Sequence, residues 1–333
     1  MKISVIGAGA FGTAMATVAA RCDNEIVLWA HDPAVAETIA STRTNPLYLP
    51  QVTIPDNVRA TSSLDEAASF SDTIFMVVPS HVYREVLGRL KPRFRGAVNV
   101  ISGTKGIEID TQRRMSEVTA EVLGDGLNAF GVLSGPTFAL EVARGDPTAA
   151  VVASRDVDFA QTIQQALSCT SFRLYHTPDV IGVEMAGSLK NVIAIASGVL
   201  EGLGLGFNTS AALITRGLHE MTKLGVALGG RLETFAGLAG MGDLVLTCTG
   251  SLSRNRSLGV ALGKGKKLEA ILSETRAVAE GVKTAKAVQE IADRHQIEMP
   301  IASEMYRVLY EGESVKAALQ RLMTRSLKAE ADL

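Results

Sequence analysis

The chain has 333 residues, of which 47% are hydrophobic, and its 33 Lys and Arg against 35 Asp and Glu leave a net charge of −2. That length allows a large core and two domains, and that hydrophobicity excludes a disordered chain. The balanced charge excludes a broad basic field for nucleic acid or an anionic membrane, although local clusters can still hold small anions.

The opening, MKISVIGAGAFGTAMATVAARC, carries two readings. After Lys2 no charge occurs until Arg21, which is the outline of a secretory signal. Yet Gly7, Gly9 and Gly12 make a poor signal core. They also fall in G-x-G-x-x-G register directly behind a β-like Ile3-Ser4-Val5-Ile6. A helical pattern over 11–21 and an apolar strand over 25–30 complete one βαβ unit, with the right-handed crossover expected of parallel strands. Further strands are predicted at 73–78, 97–101, 129–133, 149–153 and 172–175, with helical stretches such as 81–90 and 111–123 between them. Short apolar strands alternating with helices predict a doubly wound, mostly parallel sheet, and the opening is expected to be its first strand rather than a discarded leader. From Thr177-Pro178 onward the periodicity is helical, over 180–200, 210–228, 268–272, 282–295, 301–310 and 314–323. Gly-rich breaks fall at 202–206 and 237–242. The expected architecture is α/β: an N-terminal doubly wound (Rossmann) domain over 1–178, followed by an all-helical C-terminal domain over 179–333. Beyond the opening, no uncharged apolar run reaches the roughly 18 residues that a membrane span needs.

Three cysteines, Cys22, Cys169 and Cys248, are far apart and form no C-x-x-C, which argues against a disulfide framework or a zinc ribbon. The histidines show no metal-ligand spacing, so no metal is expected, and the composition fits a reducing cytoplasm.

In the glycine motif, Gly7 permits the strand-to-helix turn, Gly9 admits a pyrophosphate close to the backbone, and Gly12 lets helix and sheet pack. The free amides and positive dipole end of the helix favour the phosphate charge. Near the end of the second strand, Asp32 either binds a ribose 2′-hydroxyl or caps the next turn while His31 faces the ribose. NAD and NADP both stay open. Lys105 lies between two glycines after the fourth predicted strand, where ligands of such sheets bind, but a solvated surface lysine reads the same way. Lys190 is the only Lys or Arg between Arg173 and Arg216, and Ala186, Gly187, Ile193 and Ala194 flank it at helical spacing. Either a ligand sits against its ammonium group, which suits acid–base work, or it is a snorkelling lysine at a helix edge. Asp243 stands alone in a Gly-rich apolar stretch, and Ser253-Arg254-Asn255 offers a hydroxyl, a guanidinium and an amide to a phosphate. An Arg-rich solvated turn is the plainer reading of that cluster.

Together these segments resemble the bacterial NAD(P)-dependent sn-glycerol-3-phosphate dehydrogenases along nearly the whole chain. The likeness is carried by GAGAFGTA at Gly7, VVPSH at Val77, TKG at Thr104, SGPTFA at Ser134, LKNVIAIASG at Leu189, GLAGMGDLVLTCT at Gly237, SRNRSLG at Ser253 and VAEG at Val278. The resemblance implies catalytic roles for Lys190, Lys105 and Asp243, Lys190 being the proton-exchanging group. It implies substrate binding by Lys105, Gly135, Thr137, Lys190, Asp243, Ser253, Arg254 and Asn255. Cofactor contacts are implied for Gly7, Gly9, Ala10, Phe11, Gly12, His31, Lys105, Ala139, Arg254, Val278 and Glu280. Ala10 departs from the serine or asparagine common in the family, which removes a side-chain bond to the pyrophosphate and keeps the backbone one. The implied activity is hydride exchange between NAD(P)H and dihydroxyacetone phosphate to give sn-glycerol 3-phosphate for phospholipid synthesis. The implied partners are these small molecules and no nucleic acid, in a cytoplasmic protein for which a homodimer is an allowed assembly. A related dehydrogenase of another small hydroxy acid, or a non-catalytic redox sensor, would share the glycine turn. The first would not need Ser253-Arg254-Asn255, and the second would not need Lys190.

Overall fold

A computed structural model describes residues 1–274 and 280–330. They pack as two compact units, one of Met1–Glu108 with Arg113–Glu184, the other of Ile109–Gln112 with the chain from Met185 onward.

The first unit is built on eight strands: β1 (Lys2–Ile6), β2 (Glu25–Trp29), β3 (Val58–Thr61), β4 (Thr73–Met76), β5 (Val98–Ser102), β6 (Leu127–Ser134), β7 (Thr148–Ala153) and β8 (Phe172–Thr177). They form one sheet in the order β3-β2-β1-β4-β5-β6-β7-β8. Pairing is parallel from β3 through β6, β7 runs antiparallel to β6, and β8 is parallel to β7. The mostly parallel sheet therefore holds, with one antiparallel junction. Lys2–Ile6 is an interior strand of it, paired on both sides.

Between the strands lie α1 (Ala10–Arg21), α2 (Pro33–Thr42), α3 (Leu64–Phe70), α4 (Ser80–Leu90), α5 (Met115–Leu123), α6 (Ala139–Arg144) and α7 (Val157–Leu167). Successive strand residues point to opposite faces, and here both faces are buried, which is why the strands read as continuous apolar runs. Ile3, Val5, Ile26, Leu28 and Phe75 join one core with residues of α1, α2 and α7. Ile6, Val27, Trp29, Ile74 and Met76 join a second core with α3, α4 and α5. Burying each such side chain fully is worth roughly 1.5–3 kcal/mol.

Two local expectations change. β3 escaped prediction because only Val58 and Thr61 of its four residues are buried, while Arg59 between them is exposed on this edge strand. The helix expected over 111–123 starts only at Met115, because Gln112 adopts a left-handed backbone with φ 57° that a helix cannot continue through.

The second unit is helical: α8 (Val180–Gly202), whose first turn belongs to the first unit, then α9 (Phe207–Ala227), α10 (Leu232–Ala236), α11 (Asp243–Thr249), α12 (Arg254–Gly263), α13 (Leu268–Glu274), α14 (Glu280–Arg294), α15 (Pro300–Tyr310) and α16 (Val315–Met323). α8 has the length and apolarity of a membrane span, but 94% of its apolar window is buried inside the protein. Its apolarity serves the core. α8 and α12 cross in backbone contact: a side chain at Gly198 would collide with the Arg256 carbonyl, and one at Gly259 with the Ile195 carbonyl. The break expected at 237–242 contains a π-helical turn, Leu238–Gly242, that leads into α11. The stretch read as an Arg-rich turn is the start of α12, where the Ser253 hydroxyl accepts a hydrogen bond from the Arg256 amide at 3.3 Å.

Candidate active site

The order of the sheet reverses at β1, whose neighbours are β2 and β4, and the crevice at such a switch point is where ligands of this architecture bind. Past the end of β1, the Gly7 amide donates to the Trp29 carbonyl at 3.0 Å and the Val77 amide to the Ile6 carbonyl at 2.9 Å. Gly7 has φ +118°, and a side chain on it would lie 2.6 Å from the Val77 carbonyl oxygen. One on Gly12 would overlap the Gly7 carbonyl. Gly9 differs, for nothing lies within 4 Å of where its side chain would stand, and no side chain caps α1. This open position directly precedes the first turn of α1, whose amides no side chain caps, which fits an approaching pyrophosphate. Behind this turn the buried Asn45 side chain donates from Nδ2 to the Ala8 carbonyl and to Thr13 Oγ1, both at 2.9 Å. No motif spacing announces Asn45, which lies in the loop after α2 and meets the turn only through the fold.

At the end of β2, Asp32 Oδ1 accepts from the Ala34 amide at 2.9 Å and caps α2. His31 is exposed, its ring edge-on to Trp29 with centroids 6.0 Å apart. The cap reading of Asp32 is realised in the fold.

Lys105, beyond the end of β5, is half-buried, and its ammonium group donates to the Gly135 carbonyl at 3.2 Å and reaches Thr137 Oγ1 at 3.5 Å. It also lies 5.7 Å from the centre of the Phe11 ring. The fold thereby gathers Lys105, Gly135, Thr137 and Phe11, predicted from three separate segments. Ala139 begins α6 a few residues further along. The solvated-lysine reading of Lys105 fails.

In the second unit Lys190 is 6% exposed and Asp243 1%. The Lys190 ammonium donates to Asp243 Oδ1 at 2.6 Å and to Thr247 Oγ1 at 2.9 Å. A buried charge needs such a partner, so the snorkelling reading is wrong. Asp243 and Thr247 stand one turn apart on α11, and the Thr247 hydroxyl donates to the Asp243 carbonyl at 2.5 Å. The Ser197 hydroxyl, donating to the Cys248 carbonyl at 2.9 Å, holds α11 in register with α8. Thr247 was not singled out as a site residue in the sequence; its spacing of i+4 from Asp243 is the signal that could have found it.

Next to Lys190, Asn191 Oδ1 accepts from Asn255 Nδ2 at 3.0 Å, while Asn255 Oδ1 accepts from the Gly281 amide at 3.0 Å. Asn255 is therefore a tie between α8, α12 and the start of α14 as well as a candidate ligand contact. Ser253 is buried at the head of α12, and the Arg254 side chain beside it is exposed. Glu280 opens α14, and Val278 lies outside the described residues.

A doubly wound sheet with an open glycine turn at its switch point, in a chain that also buries a lysine against a carboxylate, defines a dinucleotide-dependent oxidoreductase. Residues 2–160 match the family described as NAD-dependent glycerol-3-phosphate dehydrogenase N-terminus, and residues 179–320 match its C-terminus counterpart. The chain belongs to the NAD-dependent glycerol-3-phosphate dehydrogenase family. It is 51% identical over 330 residues to a glycerol-3-phosphate dehydrogenase (NAD(P)+) of Geobacter sulfurreducens, covering 99% of this chain and 98% of that one. A relative of the same name from Syntrophotalea carbinolica is 49% identical over 333 residues, with both chains fully covered. Among solved structures, a glycerol-3-phosphate dehydrogenase from Coxiella burnetii superposes with a TM-score of 0.93 at 40% identity, covering 97% of this chain and 99% of that one.

Proposed function

We propose that this protein interconverts dihydroxyacetone phosphate and sn-glycerol 3-phosphate with NADH or NADPH. The observation that carries the reading is Lys190, buried and aimed by Asp243 and Thr247 in a chain of this family. When bound, the nicotinamide supplies or accepts the hydride. The protein's own groups hold the cofactor's phosphates, orient the substrate and manage its proton. The turn at Gly7, Gly9 and Gly12 presents amides to the pyrophosphate, with Asn45 fixing the Ala8 carbonyl from behind. Lys190 donates a proton to the substrate oxygen as negative charge builds there during reduction, and accepts it back in oxidation. Asp243 and Thr247 hold the amine in one direction. Lys105, steadied by Gly135 and Thr137, orients the substrate, and Arg254 with the head of α12 anchors its phosphate. The reading extends to a cytoplasmic homodimer that supplies glycerol 3-phosphate for phospholipid synthesis, and the free thiols of Cys22, Cys169 and Cys248 suit that compartment.

The test follows oxidation of NADH and NADPH in parallel, with dihydroxyacetone phosphate and with unphosphorylated dihydroxyacetone. The expected result is turnover of the phosphate ester with a kcat/KM on the order of 10⁴-fold above the unphosphorylated ketone, because a site built to bind a charged group rejects the analogue lacking it. Comparable turnover of the two ketones would remove the phosphate anchor from the reading.

A further inference from the structure

Cys22 and Cys169 are far apart in the chain, yet the first unit brings them together. Cys22 ends α1, and Cys169 lies in the turn between α7 and β8, where its amide donates to the Phe172 carbonyl at 2.8 Å. The turn after α1 is stapled to the end of α7 by Asn24, whose Nδ2 donates to the carbonyls of Ala19 at 2.8 Å, Cys22 at 3.1 Å and Ala166 at 2.7 Å. Both cysteines pack against the same core, and each lies near enough to the other to affect its ionisation. Each is half-buried, so a small solute can reach it, whereas Cys248 is buried.

The two thiols are unequal. Burial opposes ionisation of Cys169, but hydrogen bonds from the Ser171 amide, the Cys22 thiol, the Ser171 hydroxyl and the Phe172 amide outweigh it and hold this thiol below its ordinary value. Ser171 Oγ stands 3.8 Å from the sulfur. Burial, and then donation to Cys169, push Cys22 up to about 12. An accessible thiol biased toward thiolate, beside a second thiol that can resolve it, is the arrangement of a peroxide-reactive pair.

We propose that Cys22 and Cys169 form a modification site for hydroperoxides, closing reversibly into a disulfide that ties the end of α1 to the turn before β8. The Cys169 thiolate attacks a peroxide oxygen; an S–O bond forms, the O–O bond breaks, and hydroxide leaves and is protonated to water. The Cys22 sulfur then attacks the Cys169 sulfur; the S–S bond forms, the S–O bond breaks, and the departing hydroxide takes the Cys22 proton. Two thiols lose two electrons and two protons, and one hydrogen peroxide becomes two waters. A dithiol reverses the change. The bond would lie at the opposite end of α1 from the glycine turn, roughly 18 Å away at 1.5 Å per residue, so cofactor binding survives closure.

The experiment treats the whole protein with a small excess of hydrogen peroxide under native conditions, then titrates thiols and maps peptides by mass spectrometry. The expected result is loss of two of the three thiols, a peptide joining Cys22 to Cys169, no covalent dimer, and recovery with dithiothreitol. Cys169 should react at least about tenfold faster than Cys248, the buried thiol that burial pushes up to about 12. In Cys22→Ser, Cys169 should stop at sulfenic or sulfinic acid without a cross-link, and Cys169→Ser should leave Cys22 reduced. Absence of the Cys22–Cys169 peptide from oxidised wild type, or a cross-link between chains instead, overturns the proposal.

Discussion

Lys190 and Asp243 share one buried ion pair, so replacing the lysine removes the proposed proton donor and also strands a carboxylate. These effects separate by experiment. Lys190→Met alone should lose turnover by about 10²–10⁴-fold, the usual contribution of a positioned acid. It should also lose about 3–5 kcal/mol of stability, since a buried charge is left uncompensated. Adding Asp243→Asn removes that charge, so the double variant should regain much of its melting temperature and none of its turnover. Cofactor affinity, measured by quenching or calorimetry, should stay near wild type in both, because the glycine turn is untouched. Turnover that returned together with stability would make Lys190 a packing residue.

At the scale of elements, the three glycines of one motif have different physical duties. A methyl at Gly12 has no room beside the Gly7 carbonyl, whereas a methyl at Gly9 meets no protein atom within 4 Å. Gly12→Ala should therefore lower the melting temperature of the unliganded protein. Gly9→Ala should leave it nearly unchanged while weakening NADH binding at least tenfold, by filling the space proposed for the pyrophosphate. Equal effects of the two on melting would refute this division. The unit β1–turn–α1–β2 was legible in the sequence because its residues are contiguous and its glycines keep fixed spacing. β3 was not, since Arg59 interrupts its short pattern, and α12 was not, since Ser253 and Arg254 resemble a solvated turn until the cap is seen. Lys190 stood out by its isolation on an apolar helix. Its partner Thr247 did not, because a threonine one turn beyond Asp243 matters only once α11 exists and α8 lies against it. Asn45 and the meeting of Cys22 with Cys169 depend on tertiary packing alone, and local spacing carries no trace of either.

Across the whole molecule, each unit buries a carboxyl group that titrates near neutrality. Burial raises Glu184 in the first unit to about 7, against hydrogen bonds from Ser116 and the charge of Arg114. Burial likewise raises Glu220 to about 7, although it accepts from the amides of Ile301 at 2.7 Å and Ala302 at 3.2 Å at the head of α15, and Arg325 and Arg216 oppose the rise. In the unfolded chain a glutamic acid titrates near its ordinary value of 4.5. Between 4.5 and about 7 the folded protein thus holds protons that the unfolded chain has released, and stability falls as pH rises through that window. Above it the loss is constant, about 3 kcal/mol per group at 1.4 kcal/mol for each pH unit. Exposed pairs such as Arg325 with Glu298 slope the other way at lower pH, but solvent screening keeps them small. Glu220→Gln keeps an acceptor for the α15 amides and cannot ionise. It should match wild type at pH 5 and melt higher at pH 8, with the gap opening between those values. A gap independent of pH, followed by melting curves at intervals of half a pH unit, would show that Glu220 stays ionised in the folded protein.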